Sequence, residues 1–192
     1  MADQIDKARD HIEMVERILA ESSQRLCFGG SYFLVWGLYS GFVTADIAMI
    51  DLGLVPVVPA LTAQFGLLAV AIVYSIWRAR TNDASELRRS LVQREFFNVL
   101  WLSIGLAFIA NVACFNLFRG AASAAIWSFA EALVLFFIGL HGNRRAQVFG
   151  IAVLASMIVA NFLHGETVLF VLAAGMTIGY GGFGLAELLT RD

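Results

Sequence analysis

Apolar residues fill six long runs along this chain, and short polar segments separate them. The runs cover about residues 27–50, 54–77, 96–118, 122–140, 146–164 and 167–188. About 20 helical residues cross a bilayer core about 30 Å thick, and each run is long enough to do so. The pattern predicts an all-α integral membrane protein, with six transmembrane helices arranged as three hairpins in one domain over residues 27–188.

The composition is that of a protein lying almost entirely in a membrane. Hydrophobic residues make up 59% of the 192 positions and charged residues only 15%, far from the average soluble domain. The formal net charge is −2, and no basic patch is present that could follow a phosphate backbone. We therefore expect the lipid bilayer as a partner and exclude nucleic acid.

Basic residues lie mostly at one end of the predicted spans. Five arginines fall between the second and third runs, two between the fourth and fifth, and one after the sixth: Arg78, Arg80, Arg88, Arg89, Arg94, Arg144, Arg145 and Arg191. Because Lys and Arg are retained on the cytoplasmic side, both termini are predicted to be cytoplasmic. No targeting presequence is recognised, which favours a multi-pass protein of the plasma membrane, in particular a bacterial inner membrane.

The first 26 residues form a charged segment with apolar side chains at alternating spacings of three and four. These seam residues are Ile5, Ala8, Ile12, Val15 and Leu19. Such a heptad spacing is typical of a helix that packs against another helix. Six acidic residues against four basic ones disfavour binding to anionic lipid. We predict a cytoplasmic amphipathic helix over residues 1–26 that contacts a protein surface.

Two further segments are predicted to be cytoplasmic. Residues of about 83–95 begin with Asp83 and Glu86, a helix-start pair, and are expected to extend the third transmembrane helix. This extension is one possible partner for the N-terminal seam, within the same chain. The alternatives are a second copy of the chain, giving a homo-oligomer, or another protein. Residues 189–192 are expected to form a short tail.

Some sequence patterns resemble an ion-selectivity filter or a metal site, but the surrounding residues do not meet the requirements of either. Residues 177–181 read Thr-Ile-Gly-Tyr-Gly, like a potassium-channel filter. Such a filter is a non-helical loop followed by a full inner helix, and only eleven residues remain after Gly181. The three histidines and two cysteines show no metal-ligand spacing. We therefore predict no metal, no cofactor and no enzymatic activity.

Four glycines are instead spaced for close helix packing. Gly37 precedes Gly41 by four residues, and Gly175 precedes Gly179 by the same interval. Small residues at this spacing allow the backbones of two transmembrane helices to approach closely. We predict that both pairs lie at helix–helix contacts.

Glu131 is the strongest candidate for a functional residue, because it lies near the middle of the fourth run. A charged side chain at a helix centre costs about 2.5 kcal/mol or more on insertion scales, and such residues mark functional sites by default. The other polar residues of the outer half are expected to converge with it into a polar chamber: Asp46, Gln64, Asn111, Asn161 and His164. Two interpretations stay open, namely hydrogen bonds that stabilise the bundle and a site for a proton, cation or small polar solute.

Two functions follow from these patterns. The first is a non-catalytic subunit, sensor or adaptor that acts through helix contacts, which explains the heptad seam and the short outer loops. The second is a small transporter or channel that uses Glu131 to pass protons, cations or a polar solute.

Overall fold

In a computed structural model of the protein, residues 30–82, 91–113 and 120–190 are described, and all their regular structure is helical. Seven α-helices and one π-helical turn follow in order: α1 Gly30–Asp51, α2 Val57–Asn82, α3 Leu91–Ala113, α4 Ala121–Leu140, α5 Arg144–Ala160, α6 Thr167–Met176, the π turn Thr177–Gly181 and α7 Gly182–Leu189. The predicted helix over residues 1–26, with its seam, lies outside the described residues, as do residues 83–90 of the predicted extension and the last two residues of the predicted tail.

Four helical segments are long and apolar enough to cross a membrane. They are Gly30–Asp51, Val57–Arg78, Ala121–Leu140 and Thr167–Leu189, the last of which runs through the π turn. The other two predicted spans are shorter in the described residues. The apolar part of α3 is Asn98–Ala113, and α5 has 17 residues, which rise about 25 Å. The chain is thus a helical protein with four candidate membrane-spanning segments.

The turn between α4 and α5 shows how the sequence ends one helix and starts the next. Gly142 has a φ of 96°, a left-handed conformation that favours glycine. Asn143 follows as the N-cap of α5, and its side-chain oxygen accepts a hydrogen bond from the backbone N–H of Ala146 at 3.4 Å. The two helices therefore fold back on each other and pack along their lengths.

The segment Thr167–Leu189 is the most buried of the four candidate spans, and its helix α6 contacts α1, α4 and α5. α1 contacts α2, α6, the π turn and α7, whereas α4 contacts α3, α5 and α6. α2 and α3 lie on the flanks and expose large apolar side chains, for example Val73 at 65% and Trp101 at 68%. Apolar surface of this extent is what lipid would cover.

Two apolar clusters fill the interior, one toward each end of α1. The first cluster lies toward the start of α1 and includes Phe33, Leu135, Ile138, Val153, Tyr180 and Phe183. The second cluster lies toward the end of α1 and includes Ala48, Ala124, Ala160, Leu169 and Leu172. Along α4, Glu131 falls between the residues of the second cluster and those of the first. The middle of the bundle is therefore a polar layer between two apolar ones.

Candidate functional site

Glu131 lies in this polar layer with its carboxyl group enclosed. It is the only charged residue of α4. The residue as a whole is half-buried, but its Oε2 atom is fully buried and has no hydrogen-bond partner in the described part of the chain. The exposed surface of the residue therefore lies on atoms other than Oε2. A buried polar atom without a partner costs about 1–3 kcal/mol, so Oε2 is a place where a proton or ligand would gain an interaction.

Ser40 on α1 is within hydrogen-bonding reach of the Glu131 carboxyl group. The Ser40 hydroxyl donates its single proton to the carbonyl oxygen of Trp36, at 2.8 Å. While that bond holds, the Ser40 oxygen can only accept a second hydrogen bond. Ser40 is thus a polar side chain of α1 that lies beside the Glu131 carboxyl group.

The π turn Thr177–Gly181 packs against both α1 and α4, the helices that carry Ser40 and Glu131. Tyr180 within this turn is 6% exposed, and its ring meets that of Phe33 edge-on, with 5.2 Å between the centroids. π turns inside α-helices are rare and are frequent at functional sites. The Thr-Ile-Gly-Tyr-Gly sequence is therefore helical, and its tyrosine is buried against α1.

Two of the predicted packing glycines place α1 against the π turn. A methyl group on Gly37 would clash with the backbone of Gly181, and one on Gly41 would clash with the Thr177 side chain. Because neither position carries a side chain, α1 approaches the turn at backbone distance.

The other two predicted glycines face α5. A methyl group on Gly175 would clash with Ser156, and one on Gly179 would clash with Val153. The four glycines therefore lie at two different contacts, which together hold the long segment Thr167–Leu189 between α1 and α5.

Asp46 and Gln64 form a pair of their own between α1 and α2. The Gln64 side-chain amide donates to Asp46 Oδ2 at 2.6 Å, and Asp46 is buried. Asp46 lies six residues beyond Ser40, a rise of about 9 Å along α1. The pair is thus separated from the layer that contains Glu131.

Asn111 contacts a different helix. Its side-chain amide donates to the carbonyl oxygen of Ala107 at 2.8 Å, and its side-chain oxygen accepts a hydrogen bond from Ser123 at the start of α4. Ser123 lies eight residues before Glu131, a rise of about 12 Å. This contact joins the flanking helix α3 to α4, again away from Glu131.

Asn161 and His164 are exposed in the turn after α5. Asn161 is the C-cap of α5, and the backbone carbonyl of His164 accepts a hydrogen bond from Thr167 at 2.7 Å. The structure therefore does not bring the six predicted polar residues together. Asp46 and Gln64 join α1 to α2, and Asn111 joins α3 to α4. Asn161 and His164 lie in one exposed turn, and Glu131 lies apart from all of them.

A third buried carboxyl group, besides those of Glu131 and Asp46, was not predicted from the sequence. Glu187 on α7 is 9% exposed and accepts a hydrogen bond from the Asn143 side chain at 3.0 Å. Nearby, Arg145 donates to the Thr190 hydroxyl at 2.7 Å. Glu187, like Glu131, is an acidic residue inside a predicted apolar span, so the same argument would have identified it as a candidate. These bonds tie the end of α7 to the start of α5.

Two grooves on the described surface are lined almost wholly by apolar side chains. One, of about 550 Å³, runs between α3 and α4, and the other follows α2 near Tyr74 and Trp77. Neither groove reaches Glu131. Among the described residues, no group of three His, Cys, Asp or Glu could hold a metal ion. Comparisons with protein-family models, curated proteins and solved structures find no match.

Proposed function

We propose that the chain crosses the plasma membrane six times as three hairpins. In each proposed hairpin the two helices are in contact: α1 with α2, α3 with α4, and α5 with α6. α3 and α5 would be the remaining two spans. A bilayer accommodates a helix that is shorter than its apolar core by thinning locally. The amphipathic helix over residues 1–26 belongs to the same proposal.

The proposed orientation places the start of α1 on the cytoplasmic side of a bacterial inner membrane. Arg80 lies close to the end of α2, and Arg144 and Arg145 lie at the start of α5. Successive spans of the proposed hairpins run in opposite directions, so the end of α2 and the start of α5 lie on the same side of the membrane. With three hairpins, all of these arginines fall at the end of the bundle where α1 begins. Retention of basic residues in the cytoplasm then puts both termini there.

Within this architecture the protein acts without catalysis, as a subunit, sensor or adaptor that works through helix contacts. The observation that carries this proposal is the closed interior. Apolar clusters lie on both sides of the Glu131 layer, and the hydroxyls of Ser128 and Ser156 in the middle of the bundle bond to carbonyls of their own helices. Such an interior offers no passage for a hydrated solute in the described residues.

Site-specific photo-crosslinking in the native membrane tests the contact. A photoreactive amino acid at Ile12, on the seam, is expected to give one discrete product with a second chain. The same amino acid at Met14, off the seam, is the matched control and is expected to give none. A crosslink from Ile12 to the protein's own chain alone would contradict the proposal and make the seam an internal packing surface.

A second candidate function, a proton or cation carrier, is favoured by the buried Glu131 Oε2 atom without a partner in the described residues. The protein in liposomes would then dissipate an imposed pH gradient, and Glu131→Gln would abolish the flux. Asp46→Asn is the control, because Asp46 is a carboxyl group paired with Gln64 outside this layer. Flux that is absent from the wild type, or unchanged in Glu131→Gln, would exclude this candidate.

A further inference from the structure

The groove between α3 and α4 lies on the outer surface of the bundle, away from Glu131. It is lined by side chains from residues 99–110 of α3 and residues 126–140 of α4. At about 100° per residue, Leu133 and Leu140 in this lining lie on the side of α4 opposite to Glu131. The groove is therefore a feature separate from the polar layer.

Small side chains form the floor of this groove. Ser103, Ala107 and Ala130 line it and are buried. Larger apolar side chains form its walls, among them Leu106 and Phe129, which are 58% and 50% exposed. Among the described lining residues, Ser103 alone has a polar side chain. An occupant of the groove is thus apolar and reaches below the level of the wall side chains.

The dimensions of the groove distinguish between apolar occupants. Residues 99–110 rise about 17 Å along α3, and residues 126–140 rise about 21 Å along α4. Over such a length, the volume of about 550 Å³ corresponds to a mean width of about 5–6 Å. A helix with its side chains is about 10–12 Å across, whereas contacting carbon atoms are only about 4 Å apart. The groove is too narrow for a helix and wide enough for one hydrocarbon chain.

The length of the groove also fits a lipid of one leaflet. An acyl chain reaches from the headgroup to the middle of the bilayer, about 15 Å, which is half of a core about 30 Å thick. The groove begins at Leu140, the last residue of α4, and continues beyond the middle of that helix to Ile126. It can therefore hold an acyl chain over its whole length, with the headgroup at the end of α4.

The end of the groove at which the headgroup would lie carries basic side chains. The ring of His141 packs against that of Phe137, which lines the groove, with 4.4 Å between the centroids. Arg144 follows three residues later at the start of α5 and is exposed. Glu187 also lies at this end, but it is buried and accepts a hydrogen bond from the N-cap of α5. Exposed cationic groups at this level suit a lipid phosphate.

We propose that the groove between α3 and α4 binds one phospholipid, whose acyl chain lies in the groove and whose phosphate lies beside His141 and Arg144. Protein surrounds the bound chain on three sides, from the floor and both walls. This chain therefore makes more contacts than lipid on an exposed helix face and exchanges more slowly. The proposed orientation assigns the lipid to the cytoplasmic leaflet, but the site itself does not depend on that orientation.

Native mass spectrometry of the full chain tests the site, with nanodiscs of phosphatidylcholine and phosphatidylglycerol as the lipid source. The wild type is expected to retain one phospholipid under conditions that remove the remaining lipid. Ser103→Phe and Ala110→Phe fill the groove and are each expected to lower the lipid-bound fraction about tenfold, because the acyl chain loses its contacts there. Gly105→Phe is the matched control on α3, since Gly105 does not line the groove and has open space around it.

The headgroup contact is tested by the choice between the two lipids. Phosphatidylglycerol carries a net negative charge, so the wild type is expected to retain it in preference to phosphatidylcholine. Arg144→Gln is expected to remove this preference while one phospholipid stays bound. Equal retention of the two lipids by the wild type would overturn the assignment of the phosphate to this end.

A phospholipid with a photoreactive group in its acyl chain locates the site in the wild type, whatever the stability of the variants. Crosslinks are expected on Leu106 and Leu133. Crosslinks confined to the exposed face of α2, a wild type without retained lipid, or equal retention in Ala110→Phe and Gly105→Phe would each overturn the proposal. A dimer that Ala110→Phe dissociates would assign the groove to a second copy instead. The proposed contact function fails separately, through the Ile12 and Met14 crosslinks.

Discussion

Gly37→Ala tests whether α1 and the π turn are held at backbone distance. The added methyl group would meet the backbone of Gly181 and Tyr180, which cannot rotate away as the end of a flexible side chain would. Relief requires the two segments to separate, and overpacking of this kind costs about 1–3 kcal/mol. Alanine in place of glycine returns about 0.5–1 kcal/mol within a helix. We therefore expect a net loss of up to about 2.5 kcal/mol in the free energy of unfolding.

The assay is unfolding of the purified protein in mixed micelles, with helix content followed by circular dichroism. Gly66→Ala is the matched control, because Gly66 is also within a helix but has open space where its methyl group would lie. This control is expected to gain about 0.5–1 kcal/mol from helix propensity alone. A Gly37→Ala variant as stable as Gly66→Ala would refute the close approach of α1 to the π turn.

Three further substitutions test other contacts in the same unfolding assay. Trp36→Phe removes the indole hydrogen bond to Ser75 and is expected to cost about 0.5–1.5 kcal/mol; an unchanged stability would show that this bond contributes nothing. Asn143→Ala removes both the bond to Glu187 and the cap of α5, for an expected loss of about 1–3 kcal/mol. Glu131→Leu removes a buried oxygen without a partner in the described residues and is expected to gain about 1 kcal/mol or more; a loss of stability would reveal a stabilising bond to Glu131.

The helical fold follows from the length of the apolar runs, but the helix ends do not. The fifth run was predicted to reach residue 164, because Phe162 and Leu163 are apolar. The helix instead ends at Ala160, Asn161 caps it, and the chain turns toward Gly165. Hydropathy counts apolar residues whether or not they are helical, so it overestimates a span that runs into an apolar turn.

The π turn was beyond prediction for a different reason. Its five residues differ from an α-helix only in which backbone groups bond to each other, and that choice depends on packing against α1 and α5. Gly179 in this turn was predicted, together with Gly175, as a small residue suited to close contact. Their spacing alone did not show that α1 and α5 both approach this segment.

The depth of a polar residue in its span was predictable, but its partner was not. Glu131 lies in the interior layer, as its place in the fourth run suggests. Its neighbour Ser40 depends on how α1 is rotated about its axis. Asp46 and Gln64 lie at similar depth on adjacent helices, so a short connection between α1 and α2 could have indicated their pairing.

Native mass spectrometry of the protein, gently extracted from its own membrane, tests the central claim most directly. If the chain acts through helix contacts, the spectrum is expected to show a defined complex, either with another protein or with a second copy. Ile12→Asp should dissociate this complex, and Met14→Asp should leave it intact. A lone monomer from wild type and both variants, together with Glu131-dependent proton flux in liposomes, would contradict the account and identify a carrier.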